Sequence, residues 1–250
     1  MGAVVMERVL VLGATSAIAA HVAEIHAGRG DRLHLVGRTA SKLADVLGRC
    51  GGDATSEVAD FDALDANLGV IERAIAALGH VDRVVIAHGA LGDQLSTEQT
   101  FEAADATIRT NFSSVVSLLV PLANHFEARR AGRIGVMTSV AGDRGRPRNY
   151  TYGTAKGALN VYLQGLRSRL YRANVAVTAL KLGPVDTPMT VEHRKSVLFS
   201  QPRDVAAGVV RAMDRRAAEA YVPGFWRAIM AVVRNVPEPV FQRIGALSNR

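Results

Sequence analysis

The sequence predicts a single doubly wound α/β domain, with a central parallel sheet and helices on both faces. Short apolar runs rich in Val, Leu and Ile alternate with segments of helical periodicity along the whole chain. The runs are nearly continuous in apolar residues, as expected of strands covered on both sides. No linker, repeat or low-complexity tract divides the 250 residues. Residues 1–250 are therefore read as one domain, and residues 221–250 as an apolar and basic extension of it.

The first strand, 8–12, runs directly into Gly13-Ala14-Thr15-Ser16-Ala17-Ile18-Ala19. A helical pattern follows, with Ile18, Val22 and Ile25 on one face and Gly28 or Gly30 to end it. Strand, small-residue turn and helix together present backbone N–H groups and a helix N-terminus to an anion such as a pyrophosphate. Gly13, Ala17 and Ala19 follow the spacing G-x-x-x-G-x-G with alanine at two places, and a purely structural tight turn is the competing reading. The second strand, 32–36, ends in Gly37-Arg38-Thr39, with no Asp or Glu to hold the ribose hydroxyls of NAD. Arg38 suits the 2′-phosphate of NADP, so NADP(H) is favoured and NAD(H) stays open.

A helix over 40–49 and a short strand over 55–59 come next, with Asp60-Phe61-Asp62 as the strand's exit. Residues 63–78 read as a helix with Leu64, Leu68, Ile71, Ile75 and Leu78 on its buried face. The strand over 81–87 is apolar apart from Asp82-Arg83, and His88 after it reads as a loop histidine. A long helix over 107–129, interrupted by Pro121, begins near Asn111, whose amide requires hydrogen bonds wherever it is buried. The strand over 133–138 delivers Ser139 to its carboxyl end. Helix 150–171, strand 175–181, helix 202–215 and strand 219–222 complete the alternation.

In the extension, Phe225, Trp226, Ile229, Met230, Val232 and Val233 form an apolar run with Arg227 and Arg234. A second amphipathic piece holds Val240, Phe241, Ile244 and Leu247 beside Arg243. Such a segment closes the fold, packs on a partner subunit or lies in a membrane interface. It is too short and too charged to span a bilayer.

Composition bounds the function. Hydrophobic residues at 48% and charged residues at 21% describe a globular protein with ample core. The single cysteine, Cys50, cannot form an internal disulfide and points to a reducing compartment. No secretory leader pattern opens the chain, so the cytoplasm is the expected setting, with peripheral membrane contact through the extension as the alternative. The net charge of +7 invites an acidic partner, but aromatics at 5% and the lack of a reading helix argue against nucleic acid.

The candidate chemistry lies in Tyr152 and Lys156, four residues apart and hence on one helix face. An ammonium there favours the phenolate and is expected to lower the phenol pKa from about 10. A phenol so tuned exchanges a proton with an alcohol or ketone near neutral pH. Ser139 is placed to hydrogen-bond the same substrate oxygen. Taken alone, the pair also reads as a packed ring beside a solvated amine. Arg144, Arg146 and Arg148 fall between Ser139 and Tyr152, near the mouth of such a site, where guanidinium forks suit phosphate. The alternative is that they only solubilise a loop. His193-Arg194-Lys195 forms a second basic patch, and no metal site is expected.

In combination these motifs resemble the short-chain dehydrogenase/reductase family in its single-domain Rossmann form, over nearly the whole chain and in the family's order. The resemblance implies that Gly13, Thr15, Ser16, Ala17 and Ile18 form the cofactor turn and that Asp60 and Phe61 contact adenine. Ala87 and Gly89 fall in the family's Asn-Asn-Ala-Gly strand end, here Ile86-Ala87-His88-Gly89. Gly183, Val185 and Thr187 match the segment bordering the nicotinamide, with leucine in place of the proline before Gly183. Asn111, Ser139, Tyr152 and Lys156 match the catalytic tetrad. Their implied roles are a proton relay for Asn111, substrate orientation for Ser139, proton donation or acceptance for Tyr152, and ribose binding with pKa lowering for Lys156. A homodimer or homotetramer is implied as well. More narrowly, residues 61–65, 89–93 and 141–149, with Tyr221, Pro223, Phe225-Trp226-Arg227, Arg234, Pro237 and Phe241, are similar to the decaprenylphosphoryl-2-keto-erythro-pentose reductases. That likeness implies an anionic, polyprenyl-phosphate-linked keto-pentose as substrate and a place in cell wall biosynthesis. The alternatives are a reductase of a 3-oxoacyl thioester and a non-catalytic NADP(H)-binding redox sensor.

Overall fold

The computed structural model describes residues 6–190 and 198–244. His193, Arg194, Lys195 and Leu247 lie outside the described residues. The first half alternates β1 (Arg8–Leu12), α1 (Ala17–Gly28), β2 (Arg32–Gly37), α2 (Ala40–Cys50), β3 (Thr55–Val58), α3 (Asn67–Leu78) and β4 (Arg83–Ile86). Then come α4 (Gln94–Gln99), α5 (Phe101–Ile108), α6 (Ser114–Arg129), β5 (Gly132–Ser139), α7 (Tyr150–Leu170) and β6 (Val175–Leu182). The chain continues through α8 (Pro202–Asp214), β7 (Glu219–Val222), α9 (Trp226–Asn235) and α10 (Glu238–Phe241).

The strands pair in parallel in the order β3-β2-β1-β4-β5-β6-β7, among the described residues. Alternation along β1 shows how the sheet is covered. Leu10 and Leu12 pack into a core with α3, α6 and α7, while Val9 and Val11 pack against α1 and α2. On that second face, α1 and α8 cover β5 and β6 through Val22, Val205, Val209, Met137 and Leu180. The order in which strands are added reverses between β1 and β4, and a parallel sheet opens a ligand crevice outside the carboxyl ends at such a point.

Two helices differ from the sequence reading. The buried face of α3 is Asn67, Val70, Ile71, Ala74 and Leu78, and Leu68 is 54% exposed. Asn67 sets that rotation, donating to Phe61 O at 2.8 Å and to Ser117 Oγ at 2.7 Å. The helix expected over 107–129 is two helices, α5 and α6, joined by a π-helical turn at Arg109–Ser113. Asn111 sits in that turn, and its side chain binds the Thr107 carbonyl at 2.9 Å. A side chain competing for the carbonyl four residues back is a physical cause for the widened turn. Short α4 was also missed; Asp93 caps it through Leu95 N and Ser96 N.

The polar residue inside β4 is explained at the opposite, amino end of the sheet. Arg83, 2% exposed, donates to Glu7 at 2.9 Å and to Asp214 at 2.7 Å. Glu7 also pairs with Arg133, and Asp214 with Arg29. Glu7, His26 and Asp31 gather within 4.8 Å of one another, a spacing a metal ion could bridge. The atoms facing one another are instead engaged: His26 Nδ1 binds Asp31 at 2.7 Å and both Glu7 oxygens face arginines. Removing one member of a buried charge network strands the others. Arg83→Leu is expected to lower the unfolding free energy by about 3 kcal/mol, the low end for a broken buried pair because Glu7 and Asp214 keep Arg133 and Arg29. A urea titration checks this, and an unchanged midpoint would show the network to be neutral.

Candidate active site

A cavity of about 820 Å³ lies at the carboxyl ends of the strands. One end is built by the turn after β1. Gly13 has φ +82°, and a Cβ there would stand 2.6 Å from the His88 backbone nitrogen, so glycine alone fits. Gly13 N and Ala14 N both donate to Val36 O at 2.9 Å, which ties the turn to β2. Ser16 begins α1 without a side-chain cap bond. Thr15, Ser16, Ala17 and Ile18 accordingly line the cavity around a helix N-terminus. Arg38 lines it too, joined by Lys42 from the first turn of α2, which the sequence reading passed over.

Asp60, Phe61, Ala87 and Gly89 line the adjoining wall. His88 is more than a loop histidine. Its ring lies 4.6 Å from that of Phe61, and its Nε2 is 2.8 Å from Ser114 Oγ. The Ser114 hydroxyl donates to Thr110 O at 2.8 Å, so toward His88 it accepts. Nε2 therefore carries the ring proton. Burial, followed by the charges of Lys156 and Arg38, pushes the His88 pKa down to about 3, so the ring is neutral.

Asn111 is fully buried and does not itself line the cavity. Its Nδ2 donates to Ala90 O at 2.7 Å, and its Oδ1 accepts from Ala90 N at 3.2 Å. The amide thus fixes the strand exit at Gly89-Ala90. A Cβ at Gly89 would stand 2.8 Å from Asn111 Oδ1 and 3.2 Å from Lys156 Nζ, so these two polar groups meet across a glycine.

Ser139, Tyr152 and Lys156 come together along the middle of the cavity. Val140–Asp143 forms a single 3-10 turn, and the Ser139 Oγ accepts from Ala141 N at 3.1 Å. The Ser139 hydroxyl is near enough to the Tyr152 phenol to oppose the rise of its pKa. Lys156 is 4% exposed; its Nζ donates to Met137 O at 3.3 Å and lies 5.7 Å from the Tyr152 ring centroid. The expected lowering of the phenol pKa is corrected here. Burial pushes Tyr152 up to about 12, against the opposing Ser139 hydroxyl. Burial also pulls Lys156 down to about 8. The amine is turned to a carbonyl rather than to the phenol, so desolvation decides the outcome.

Val185 and Thr187 line the far end with Gly183. A Cβ at Gly183 would stand 2.0 Å from the indole Nε1 of Trp226, so α9 sits directly on this segment. Of the three loop arginines, Arg146 and Arg148 line the cavity and Arg144 does not. Arg144 instead donates to the carbonyls of Val233, Arg234 and Val236, the last at 2.7 Å, and pairs with Glu238 at 2.5 Å. Its guanidinium also lies 4.2 Å from the Phe241 ring centroid. It closes the carboxyl end of α9, where orphan carbonyls attract a cation, and its assignment to substrate is withdrawn.

The profile described as short chain dehydrogenase matches residues 7–197. An uncharacterised oxidoreductase of Streptomyces coelicolor is 33% identical over 242 residues, covering 94% of each chain. One from Mycobacterium tuberculosis is 31% identical over 240 residues, covering 94% of this chain and 96% of its own. Among solved structures, an actinorhodin polyketide ketoreductase with NADPH superposes with a TM-score of 0.79 at 23% identity, over 90% of this chain and 98% of that one. At that identity the likeness concerns the fold.

Arg144→Ala is expected to speed amide exchange in α9 and to cost about 2 kcal/mol of stability, the scale of charge-assisted bonds lost from a half-buried carbonyl cluster. Hydrogen exchange read by mass spectrometry checks this; unchanged protection of α9 would contradict the clasp.

Proposed function

The chain belongs to the short-chain dehydrogenase family, an enzyme family of NAD(P)-dependent oxidoreductases, and we propose that its reaction is NADP(H)-dependent reduction of a ketone to a secondary alcohol. The observation that carries this reading is the meeting of Ser139, Tyr152 and Lys156 on one cavity, with the Lys156 amine 5.7 Å from the Tyr152 ring centroid.

The residues present fit the cofactor. The strained Gly13 turn and the uncapped start of α1 suit a pyrophosphate, and Arg38 with Lys42 suits a 2′-phosphate. When bound, the cofactor supplies the hydride that reduction requires. The remaining work falls to the protein. Tyr152 keeps its proton through the physiological range and acts as the acid for the developing alkoxide. Ser139 holds the substrate oxygen against that phenol. Lys156 is an ammonium at neutral pH, which binds ribose hydroxyls and favours the phenolate left after proton transfer. Asn111 holds the Gly89-Ala90 exit against Lys156 and supports a water relay to it.

The substrate we propose is a polyprenyl-phosphate-linked keto-pentose, on the loop and tail resemblance; a 3-oxoacyl thioester is the alternative. The complete Asn-Ser-Tyr-Lys set disfavours a non-catalytic sensor. A homodimer or homotetramer in the cytoplasm is the proposed form. No described helix is long and apolar enough to cross a membrane. The exposed Phe225, Val232 and Val240 are the route we propose for peripheral membrane contact.

Tyr152→Phe is expected to reduce kcat by about 10²–10⁴-fold while leaving NADPH binding measurable. The assay follows NADPH and NADH oxidation with a polyprenyl-phosphoryl keto-pentose and a 3-oxoacyl thioester side by side. Retained turnover in the variant would sink the assignment of the acid. The pH profile offers a separate test. In the free enzyme Lys156 loses its charge above about pH 8, whereas Tyr152 stays protonated to about 12. Consequently kcat/KM for NADPH is expected to fall above pH 8, and a profile flat to pH 9.5 would exclude Lys156 as the group that binds the cofactor as a cation.

A further inference from the structure

Arg146 and Lys156 line the cavity as shielded cations with no carboxylate partner among the described residues, unlike cations held by acids elsewhere in the fold. Arg83 and Lys181 are each held by two carboxylates, and Arg144 by three carbonyls and Glu238. Arg146 lines the cavity with its Nε shielded from solvent and lacking an acceptor among the described residues. Its side chain's one hydrogen-bond contact among them is Nη2 to the sulfur of Met230, at 3.6 Å. Asp143 attracts Arg146 from a distance but makes no hydrogen bond with it, being taken by Lys181 at 3.0 Å and by the Tyr221 hydroxyl at 2.6 Å. The next charge along the loop is Arg148, a second cation on the same cavity.

A second donor lies on the same wall. Trp226 is 5% exposed, and its indole N–H also lacks an acceptor among the described residues. Met230 and Trp226 both come from α9, which packs on Val140, the residue after Ser139. The wall next to the candidate reacting centre thus carries a guanidinium and, among the described residues, no carboxylate hydrogen-bonded to it. An unpaired, partly desolvated guanidinium is costly unless a ligand supplies the counter-charge.

We propose that Arg146 is the counter-ion for an oxyanion carried by the substrate, which is held between the loop after Ser139 and α9 while its ketone reaches Ser139 and Tyr152. This rests on the ketone-reductase reading above and makes Arg146 a specificity-determining residue, with Arg148 adding charge at the rim. Phosphate and carboxylate share the required chemistry, and the guanidinium fork accepts either.

Trp226 is the only tryptophan in the chain, so its emission reports binding at this wall without turnover. The protein, saturated with NADP⁺, is titrated with dihydroxyacetone phosphate, with 4-oxopentanoate and with neutral dihydroxyacetone. The phosphate probe is expected to bind at least about tenfold more tightly than the neutral one, the scale of a charge-assisted pair. Arg146→Gln should abolish that difference, Arg146→Lys should restore part of it, and neither should change the NADP⁺ affinity. The carboxylate arm shows which oxyanion is preferred; a preference for either anion that depends on Arg146 supports the proposal. Inorganic phosphate should compete with the charged probe on the wild-type protein, which keeps the test valid if a variant fails to fold. Equal binding of charged and neutral probes to the wild type would overturn the proposal. A loss in Arg146→Gln confined to NADP⁺ affinity would overturn it too, by assigning the anion to the cofactor. Arg146-dependent anion binding without Tyr152-dependent reduction would refute the reductase reading and leave the anion site standing.

Discussion

Ser139 arrives on a strand and Tyr152 on a helix, and the two meet because backbone there comes nearly to contact. The turn at Val140–Asp143 lies on the first turns of α7, where a Cβ at Gly142 would stand 2.7 Å from Gly157 N and one at Gly153 would stand 2.8 Å from Ala141 O. Side chains at these points would push the turn outward and separate the hydroxyl from the phenol. The proposed reacting geometry is therefore set by the absence of side chains as much as by the polar groups themselves. Lys156 shares the same contact, since the turn lies against its backbone.

Burial then governs the electrostatics. In open water the four-residue spacing of a phenol and an amine would couple them simply. Inside the cavity desolvation acts on both in opposite directions, raising one and lowering the other. The result suits an acid that must hold its proton until a substrate oxygen needs it. His88 obeys the same rule, kept neutral beside two cations, and so adds no positive charge where Arg38 and Lys42 face the cavity.

Much of the fold was legible because parallel strands buried on both faces must be nearly continuous in apolar residues, and β1, β2, β5 and β6 are. The cofactor turn and the Ser139, Tyr152 and Lys156 positions were legible for a related reason: their spacing follows from strand ends and helical turns. What periodicity could not reveal was set by single side chains acting across the chain. Asn67 rotates α3 away from its leucines, and Asn111 opens a π-turn inside a run that reads as uninterrupted helix. Three arginines at alternate positions looked equivalent in sequence. Only the fold, which carries α9 back over the loop, separates Arg144, which clasps carbonyls, from Arg146, which faces the cavity. Lys42 left a weaker trace: its place one turn beyond Arg38 could have been noticed.

The return of α9 has a consequence for how the protein is made. The sheet, the turn after β1 and the Ser139–Tyr152 pair are all encoded before residue 223, and α9, which packs on Val140 beside them, comes after. On a ribosome the nascent chain would complete the turn proposed to hold a dinucleotide before the helix that closes the wall around Arg146. Proteolytic trimming would undo the two in reverse order, leaving the turn without the wall. Arg144, fastened from the loop to the carbonyls that end α9, is the stitch that joins these two stages into one enzyme.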